Sequence, residues 1–540
     1  MRIEPIKLDN RTKLMTDYCN NDEKIMSYFD YKKDAFGERL KEIQNREFSR
    51  EQLANVLHQL NSSWDAPEET LHNINRLRDE NAVVVVGGQQ AGLLTGPLYS
   101  VNKVISIIQL AKQQEENLNV PVIPVFWIAG EDHDFDEINH IFLKENKSGR
   151  IKKYKTKDKM FGKQSVSSME INKVLTSEWI SSLFAELNET EYTVDLHKTL
   201  HNCLERSNTY VDFFARLIFE LFQEEGLVLI DSDAELVRGL ESDYFTQIIK
   251  KQPLISKGVN NSLQDLKQDG YTVSLEVESD DAHLFYHLDG ERVLLKRKNE
   301  GVWVGKQNEV LFTTDELIDL AHTQPHLLSN NVVTRPLMQE LLLPTLAFIG
   351  GPGEVGYWSV LKPAFTALNI NMPPVVPRLS YTFVNRSVEK VLHKYNIPLE
   401  RAIAIGVEKQ KEKWLQEKNY PPIEEVSEHI KEEVERIHEP MRKIAADLRS
   451  DLGDLANKNL HFLKRDIEFL EKRIRKTIEE IYSYELQEFD LMNDVLHPLG
   501  GLQERVWNPI PLLNNYGMNV FKDVLSLPCS FGEDHYAVYL

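Results

Sequence analysis

The sequence has few cysteines, and their positions exclude the usual structural roles of this residue. Only three occur among 540 residues, at Cys19, Cys203 and Cys529. Three thiols cannot all pair, no two form a C-x-x-C motif, and their spacing does not fit a metal site. We therefore expect reduced thiols that serve mainly in packing.

Positive charge is also scarce. The chain has 63 Lys and Arg residues against 84 Asp and Glu, and its formal net charge is −21. Such a field repels a phosphate backbone, and no compact basic cluster with interleaved aromatic residues offsets it. We therefore expect no nucleic-acid partner. A small anionic ligand is still compatible with this charge, because a helix N-terminus and one or two arginines can hold it locally.

Long apolar runs are missing as well. No run approaches the roughly 20 residues that a membrane span needs. The first residues, MRIEPIKLDNRTKL, lack the apolar centre of a signal peptide. These two features predict a cytoplasmic protein with no membrane partner.

The composition is nevertheless that of a folded protein with several structural units. Apolar residues make up 41% of the chain and aromatic residues 9%, which is enough for well-packed cores. A chain of 540 residues exceeds the size at which one hydrophobic core keeps growing, so two to four units are expected.

A strand, a helix and a second strand follow one another early in the chain. Residues 82–86 are one Ala and four Val followed by a Gly-Gly pair, which is typical of a strand buried on both faces. Residues 101–110 have helical apolar spacing, and residues 122–128 form a second apolar run. This βαβ order predicts a parallel sheet. The expected fold class is therefore α/β, with a Rossmann-like doubly wound core.

The middle of the chain has a mixed texture that favours an insertion into this core. One strand is predicted at residues 226–230. Shorter strand-like segments follow at residues 271–277, 284–287, 292–296 and 302–304. The core resumes at residues 343–350 and 374–377. The expected core comprises residues 1–145 and 331–400 and includes N-terminal helices. An α+β connecting-peptide region at 146–330 is inserted into it, with its own sheet and some core strands. A coiled-coil arm follows at 401–490, and a C-terminal segment at 491–540 packs back on the core.

The arm has the strongest periodic pattern in the sequence. Apolar residues recur at alternating steps of three and four, and charged residues fill the gaps. They are Ile423, Val426, Ile430, Val434, Ile437, Met441, Ile444, Leu448, Leu452 and Leu455, and then Leu460, Leu463, Ile467, Leu470, Ile474, Ile478 and Ile481. A break at residues 456–459, with Gly453 nearby, predicts a hairpin tip and therefore two antiparallel helices packed along this seam. The alternative is one continuous helix that pairs with a partner chain.

The first candidate ligand-binding motif is the loop at residues 87–97. In open α/β sheets, ligands bind outside the carboxyl ends of the strands, and this loop follows the first one. Its glycines let backbone N–H groups approach a ligand, and its two glutamines offer both donors and acceptors. The candidate substrate-binding residues are Gly88, Gln89, Gln90, Gly92, Thr95 and Gly96. The spacing fits neither a Walker loop nor the dinucleotide fingerprint, and a tight turn without a ligand is the alternative.

The second motif follows the second strand at residues 130–137. It holds five acidic residues and one histidine within eight positions. His133 is the candidate catalytic acid or base, with Asp132 or Asp134 to orient it. One alternative is a divalent metal bound by these three residues, although no further ligand spacing supports it. Another is simple capping of the next helix.

The third motif, at residues 350–358, closes the third apolar run. It offers a further glycine-rich turn lined by N–H groups, with one acid and two aromatic residues beside it. The candidate substrate-binding residues are Gly351, Gly353, Glu354 and Tyr357. We interpret Trp358 as a packing residue.

A possible nucleotide pocket is suggested by the C-terminal segment. Arg505, Trp507, Asn508 and Tyr516 combine a phosphate partner, a stacking ring and an amide that can recognise a base edge. The alternative is that Trp507 fills the core and Arg505 pairs with Glu504.

The chain resembles the bacillithiol biosynthesis cysteine-adding enzyme (BshC) family over its whole length. The resemblance rests on four segments, which read GGQQAGLLTGPLYSVNK, PVFWIAGEDHDFDEINH, LAFIGGPGEVGYW and HPLGGLQERVWNPIPLLNNYG. It implies a cytosolic ligase that joins cysteine, through its carboxyl group, to the glucosamine amine of glucosaminyl-malate in the last step of bacillithiol synthesis. It also implies a Rossmann core with connecting-peptide insertions and a homodimer formed through the coiled coil.

The order of the core also resembles class I aminoacyl-tRNA synthetases and the mycothiol cysteine ligase, which activate cysteine as an adenylate. Those enzymes carry a His-x-Gly-His signature and a Lys-rich signature. This chain has Gln89-Gln90-x-Gly92 at the first place and Pro377-Arg378-Leu379-Ser380 near the second. ATP or ADP is therefore expected on chemical grounds, because a free carboxylate needs activation, but without a standard motif. The sequence indicates no particular metal.

Three functions are compatible with these motifs. In the ligase, His133 helps to deprotonate the attacking amine, and Arg378 or the helix N-terminus after Gly96 holds the malate anion. The first alternative is a nucleotide- or sugar-binding scaffold that presents the coiled coil to partners. The second is a metal-dependent hydrolase that uses Asp132, His133 and Asp134.

Overall fold

The structure is a computed structural model that describes residues 1–8, 11–158, 164–298, 301–418, 422–532 and 535–540. The chain divides into two compact units. The first comprises Met1–Thr382 together with Gln503–Leu540, and the second comprises Phe383–Leu502. No helix among the described residues is both long and apolar enough to cross a membrane.

The strands, in chain order, are β1 (Arg2–Ile6), β2 (Val83–Gln89), β3 (Val122–Ile128), β4 (His140–Lys144), β5 (Ile151–Lys155), β6 (Val228–Asp231), β7 (Asp281–Leu288), β8 (Glu291–Lys298), β9 (Val302–Gly305), β10 (Leu311–Thr313), β11 (Leu328–Asn330), β12 (Thr345–Gly350), β13 (Val375–Pro377), β14 (Tyr381–Val384) and β15 (His535–Tyr539).

The helices of the first unit are α1 (Lys13–Cys19), α2 (Glu23–Met26), α3 (Phe36–Ile43), α4 (Arg50–Ser63), α5 (Glu68–Arg76), α6 (Leu98–Leu118), α7 (Phe135–Ile138), α8 (Lys173–Phe184), α9 (Thr193–Glu205), α10 (Tyr210–Leu221), α11 (Glu235–Gln268), α12 (Thr314–Thr323), α13 (Thr334–Leu342), α14 (Pro352–Trp358), α15 (Lys362–Ala367), α22 (Gln503–Val506), α23 (Ile510–Tyr516) and α24 (Val520–Leu525). Those of the second unit are α16 (Arg386–Tyr395), α17 (Leu399–Ile405), α18 (Glu408–Lys418), α19 (Ile423–Leu448), α20 (Ser450–Ile481) and α21 (Ser483–Leu496).

The core of the first unit is a parallel sheet with the order β13-β12-β2-β3-β6. Strands β2, β3 and β12 are buried along their length except at Gln89, as expected for continuous apolar runs. Strands β3 and β6 lie on one side of β2, and β12 and β13, which come later in the chain, lie on its other side. This is a doubly wound sheet, and the prediction of a Rossmann-like α/β core is confirmed. Its switch point lies between β2 and β12.

The inserted region contains a second sheet, which is antiparallel and has the order β10-β9-β8-β7-β11. The predicted sheet within the insertion is therefore present, and β6 is a core strand that lies within the same stretch of chain. The strand predicted at residues 271–277 is wrong, since these residues form no strand. Residues 272–277 alternate between exposed and half-buried side chains, but they pair with no strand of the described sheets.

The end of the chain returns to the first unit. Strand β15 pairs antiparallel with β1, from Arg2 opposite Tyr539 to Ile6 opposite His535. The buried imidazole of His535 contacts the hydroxyls of Thr382 and Ser380, each at 2.8 Å. Tyr536 and Tyr539 are therefore part of a sheet.

The second unit contains the predicted antiparallel hairpin, formed by α19 and α20. Contacts between the two helices run in opposite chain directions: Lys464 pairs with Glu435, and Arg475 lies 3.3 Å from Glu424. The break predicted at residues 456–459 is wrong, because α20 continues through them and the turn occurs at Arg449. Gly453 lies inside α20, where its missing side chain lets the backbone approach Ala446; an added Cβ would lie 3.1 Å from the Ala446 Cα.

The apolar seam only partly fills the contact between these two helices. Ser427, Gly453 and Leu460 are buried there. Ile437, Met441, Ile444 and Leu448, however, are between 61% and 72% exposed. The expectation that the whole seam lies between the two helices is therefore wrong. Part of it forms a stripe on the surface of the hairpin, which we call the outer stripe; it comprises Val426, Ile430, Ile437, Met441, Ile444 and Leu448 of α19 and Leu455, Leu463, Leu470 and Ile481 of α20.

Candidate functional site at the switch point of the sheet

The candidate site lies where the carboxyl ends of β2, β3, β12 and β13 meet. Gln89 is aligned with Ile128, and Gly350 with Pro377, so the loops that follow these four strands start at one edge of the sheet. Ligands of doubly wound sheets bind in the crevice at this edge. The three motifs found in the sequence therefore start at one place in the fold.

Lys103 is the central cation of this crevice. It lies on α6, a helix with many buried side chains, and is itself only 1% exposed. Its Nζ donates to the Gly88 carbonyl (2.6 Å) and to Gln89 Oε1 (3.1 Å), and it forms an ion pair with Glu354. Burial lowers the pKa of Lys103, and the Glu354 carboxylate opposes that effect. One ammonium group thus connects the first and third motifs.

The first motif divides into a strand end and a strained loop. Gly88 is needed for close packing, because a Cβ there would lie 2.4 Å from the Trp127 carbonyl oxygen. Beyond it, Leu94 and Thr95 both have positive φ, at 51° and 72°. Such values in non-glycine residues are strained and persist only where the surroundings enforce them.

The C-terminal segment provides that enforcement. The buried Asn508 amide donates to the carbonyls of Leu94 (2.9 Å) and Gly96 (2.7 Å), and its Oδ1 accepts from the Ile510 amide (2.9 Å). Gly92 packs against Gly96, where a Cβ would lie 2.8 Å from the Gly96 Cα. Asn508 therefore holds the loop of the first motif, and its amide is engaged inside the fold.

The third motif forms a short helix with a capping acid. Glu354 on α14 accepts a hydrogen bond from the Gly351 amide (2.8 Å) while it pairs with Lys103. The Tyr357 hydroxyl accepts from Arg335, and burial raises the pKa of Tyr357 to about 12. Gly353 is exposed at the start of this helix. Trp358 stacks on Phe348 with ring centroids 4.3 Å apart, so its role is in packing, as expected.

Arg378 follows β13 and is already paired. Its guanidinium forms a two-point contact with the Glu504 carboxylate, at 2.6 and 2.7 Å, and Asn102 donates to the same carboxylate at 2.7 Å. The attraction of Glu504 raises the pKa of Arg378 against the opposing effect of burial. The charge that the sequence suggested for a malate anion is thus neutralised inside the fold.

The second motif places its acidic residues in defined contacts. Asp132 Oδ1 accepts from the backbone amides of His133 (2.7 Å) and Asp134 (3.3 Å), which is local capping. Its Oδ2 accepts from Gln90 Nε2 at 2.6 Å, and the same nitrogen donates to Glu137 at 3.1 Å. Gln90 therefore bridges the first and second motifs, and the two candidate motifs form one site.

The three residues considered as metal ligands do not form a convergent cluster. Within the described part of the chain, the acidic group whose ligand atoms all lie within 4.8 Å of one another is Glu278, Asp280 and Asp281. That group lies on the inserted region, where Lys296 pairs with Glu278 and Asp280. The geometry of the second motif is that of capping and of hydrogen bonding to Gln90.

The C-terminal residues considered for a nucleotide have different environments. Arg505 is exposed and Trp507 is half-buried, with its carbonyl accepting from the Leu98 amide at 2.8 Å. Tyr516 is 37% exposed at the end of α23. Arg505 does not take Glu504 as its partner, since that carboxylate binds Arg378.

The pKa of Tyr99 depends on several charged groups of the crevice. It is half-buried at the start of α6, and burial raises the pKa of Tyr99. Glu137 and Glu354 act in the same direction as burial, while Arg378 and Arg505 oppose it. The pKa of one phenol thus depends on charges from the second motif, the third motif and the C-terminal segment.

Asp231, at the end of β6, is a buried acid beside the second motif. Its carboxyl accepts from the hydroxyl of Ser167 and from the amide of Asp233, and a Cβ on Gly130 would overlap it. Burial, with the charge of Asp233, raises the pKa of Asp231 to about 7 from an ordinary value of 3.8.

Stability should therefore depend on pH through this residue. Because the folded pKa is raised, the contribution is fully present below about pH 4 and is lost as pH rises to about 7. We predict that Asp231→Asn has little effect at pH 4 but increases the free energy of unfolding relative to the original chain at pH 8, by roughly 4 kcal/mol at most. Urea unfolding at both pH values measures this difference. The exposed Asp243→Asn serves as control, and an equal effect of Asp231→Asn at both pH values would contradict the prediction.

Four residues of the site were not singled out from the sequence: Lys103, Tyr99, Arg292 and Glu504. Lys103 lies inside residues 101–110, which read simply as an apolar helix, and Tyr99 lies two residues before them. A lysine on the buried face of such a helix was the available signal. Arg292 and Glu504 lie in the inserted region and the C-terminal segment, and nothing in their local sequence connects them to the crevice.

Two family models together match nearly the whole chain. Residues 1–379 match the bacillithiol biosynthesis BshC N-terminal Rossmann-like domain, and residues 381–540 match the bacillithiol biosynthesis BshC C-terminal coiled-coil domain. A protein from Oceanobacillus iheyensis is 45% identical over 100% of both chains. Proteins from Bacillus cereus (strain AH187) and Bacillus anthracis are each 41% identical over 98% of both chains. All three relatives carry the name "Putative cysteine ligase BshC".

Proposed function

We propose a function from the premise that the chain belongs to the bacillithiol biosynthesis BshC family, which its two family matches and its full-length relatives show. The chain is a ligase that forms an amide bond between the carboxyl group of cysteine and the glucosamine amine of glucosaminyl-malate. The product is the thiol bacillithiol. The reaction takes place in the crevice at the switch point of the sheet.

One observation carries this proposal: three loops from different strands are joined by polar contacts into a single site. Lys103 connects Gln89 to Glu354, and Gln90 connects the same loop to Asp132. A substrate with hydroxyl, amine and carboxylate groups needs donors and acceptors from several directions, and this arrangement supplies them. Fixed positions of these groups favour catalysis by orientation.

The anionic malate group needs a cation, and Arg505 is the better candidate. Arg378 is bound to Glu504 on both of its terminal nitrogens. Arg505 is exposed and directly follows Glu504, whose carboxylate binds Arg378 at the crevice. A guanidinium can form a two-point contact with a carboxylate or a phosphate. We therefore assign the malate carboxylates, or the phosphates of a nucleotide, to Arg505.

Activation of the cysteine carboxyl requires a co-reactant. Condensation of a free carboxylate with an amine releases a water molecule and is thermodynamically unfavourable in aqueous solution. We propose ATP as the co-reactant that activates the carboxyl group. We place His133 of the second motif beside the reacting groups. The coiled-coil hairpin joins two chains into a dimer, because its outer stripe exposes a row of apolar side chains.

Reconstitution tests the ligase directly. The purified chain, incubated with cysteine, ATP and glucosaminyl-malate, should produce a species with the mass of bacillithiol by mass spectrometry. Incubations that lack one component in turn identify the co-reactant. Absence of product with all three present, from a chain that is folded and dimeric, would reject the proposed reaction. Hydrolysis of glucosaminyl-malate instead would favour a hydrolase.

Gln90 should contribute to substrate binding. We predict that Gln90→Ala folds normally, because its amide is half exposed, but binds glucosaminyl-malate more weakly by about 1–3 kcal/mol. The loss arises because Asp132 and Glu137 lose their shared donor and a substrate group loses its partner. Titration calorimetry measures the affinity.

A matched control is available on the same unit. Gln223 is exposed and donates to Glu220 at 2.9 Å, so Gln223→Ala removes a similar contact away from the crevice. Equal affinity in the Gln90 variant, the control and the original chain would show that Gln90 only shapes the loop.

A further inference from the structure

The inserted sheet contributes a buried cation to the second motif. Arg292 lies on β8 and is 7% exposed. Its Nη1 donates to His133 Nδ1 at 3.4 Å. The core and the insertion therefore meet at the residue that the sequence marks as the candidate acid or base.

Arg292 itself is fixed by several contacts. Its Nε donates to Ser329 Oγ (3.2 Å), its Nη2 donates to the Asn330 carbonyl (2.9 Å), and its Cζ lies 4.0 Å from the centre of the Phe285 ring. The His133 ring packs edge-on against the same Phe285 ring, with centroids 6.4 Å apart. The positions of the guanidinium and the imidazole are thus set by one framework.

The hydrogen bonds behind Arg292 have one consistent direction. The Ser329 hydroxyl accepts from Arg292 and lies 2.9 Å from His287 Nε2, to which it can donate. Burial lowers the pKa of His287 to about 4, so this imidazole is neutral near pH 7 and can accept. Each donor in this network therefore meets an acceptor, and the hydrogen bonds hold Arg292 in place without rotation of the Ser329 hydroxyl.

A guanidinium has only donors, and this decides the tautomer of His133. Nδ1 must offer a lone pair to Arg292, so the proton of the neutral imidazole is on Nε2. Asp132 Oδ1 is 3.9 Å from Nδ1, beyond hydrogen-bond distance, and it accepts backbone amides instead. A proton on Nδ1 would point at a group that cannot accept it.

We infer that Arg292 is a positioning residue that holds His133 as the Nε2–H tautomer, so that His133 acts as a hydrogen-bond donor in the crevice and not as the base for the amine. This inference rests on the proposed ligase for its catalytic meaning. As the amine nitrogen bonds to the activated carboxyl carbon, negative charge develops on the acyl oxygen, and a fixed N–H donor stabilises it without giving up its proton. The bond from that carbon to the phosphate or AMP group derived from ATP then breaks, and the amine proton passes to water.

The tautomer can be measured without any reaction. Nitrogen-15 spectra of the full chain with labelled histidine, recorded near pH 8 and compared with His133→Gln for assignment, should show His133 with a protonated Nε2 and an unprotonated Nδ1. The opposite pattern would overturn the inference. If no ligation is found but this pattern is, the proposed function fails and the tautomer assignment stands.

Substitution of Arg292 supplies the kinetic test. Arg292→Gln should lower kcat by about 10²-fold with little change in the KM for glucosaminyl-malate, and should give mixed tautomers of His133. Arg292→Lys retains a charged donor and should recover part of both signals. Lys298→Gln, an exposed change on the same strand, is the control. A folded Arg292→Gln chain with unchanged kcat and an unchanged nitrogen spectrum would overturn the role.

Discussion

Replacement of Lys103 by methionine is expected to abolish most of the activity and to destabilise the first unit. The substitution keeps the apolar stem and removes the ammonium group from three acceptors: the Gly88 carbonyl, Gln89 Oε1 and Glu354. Removal of one partner from a buried ion pair costs about 3–5 kcal/mol. We expect the lower end of that range, because 22% of the Glu354 side chain is still exposed to water.

The effect on activity should be larger than stability alone explains. Without Lys103, the first and third motifs lose the group that connects them, and Gln89 and Gly351 can shift independently. Misplacement by about 1 Å can reduce a rate 10²-fold. We therefore expect at least that loss in kcat/KM for ligation, measured on the fraction that is folded.

A double variant separates these two effects. Lys103→Met combined with Glu354→Gln removes both charges, and loss of both partners is far less costly than loss of one. The double variant should recover most of the free energy of unfolding while its activity stays low. A single Lys103→Met chain with the original stability and activity would contradict the assigned role, and recovery of activity in the double variant would show that the role is only structural.

The buried strands of the core could be predicted because each is apolar on both faces. β3 was predicted at its observed bounds, and β2 extends further than expected, through its two glycines to Gln89. The strand predicted at residues 271–277 failed for a different reason. Alternation identifies a surface that is half buried, but a strand also needs a neighbouring strand as its partner, and these residues join none of the described sheets.

The site could be located from the sequence but not completed. The glycine-rich and acidic loops follow predicted strands, and the strand order brings them to one crevice. Lys103 was overlooked because residues 101–110 have the apolar spacing of a buried helix. Glu504 lies 402 residues from Asn102, and Asn508 lies 414 residues from Leu94, and no local pattern reveals such contacts.

These distant contacts have a structural consequence. Asn508 holds the strained backbone of the first motif, and Glu504 neutralises Arg378 after β13. Strained loops persist only where their surroundings fix them. The C-terminal segment is therefore part of the crevice.

The helical hairpin shows a second limit of pattern analysis. Apolar spacing of three and four residues predicts which helices form, but two adjacent faces of a helix share nearly the same spacing. The face inside the hairpin includes Ser427 and Gly453, which an apolar pattern does not select. The outer stripe carries several of the most apolar residues and is exposed in the single chain.

Glutamate at Ile437 and Ile444 should convert a dimer into a folded monomer. Both residues lie on the outer stripe at 68% and 61% exposure, so two charges can be hydrated in the single chain and the hairpin should stay helical. In a dimer that covers the stripe, the same charges would be buried without partners at a cost of several kcal/mol. Light scattering should therefore show half the molecular mass of the dimer that the original chain forms. The far-ultraviolet circular dichroism spectrum should be unchanged.

The same helix offers a matched control for this change. Arg436 and Lys443 each directly precede one of the two residues, and a rotation of about 100° per residue places them off the stripe. They are 70% and 72% exposed, so Arg436→Glu with Lys443→Glu adds two glutamates and even more negative charge beside the stripe. This control should remain dimeric. Dissociation of both variants would indicate general charge repulsion, and an unchanged mass in the Ile437 and Ile444 variant would show that the outer stripe is not the contact between chains.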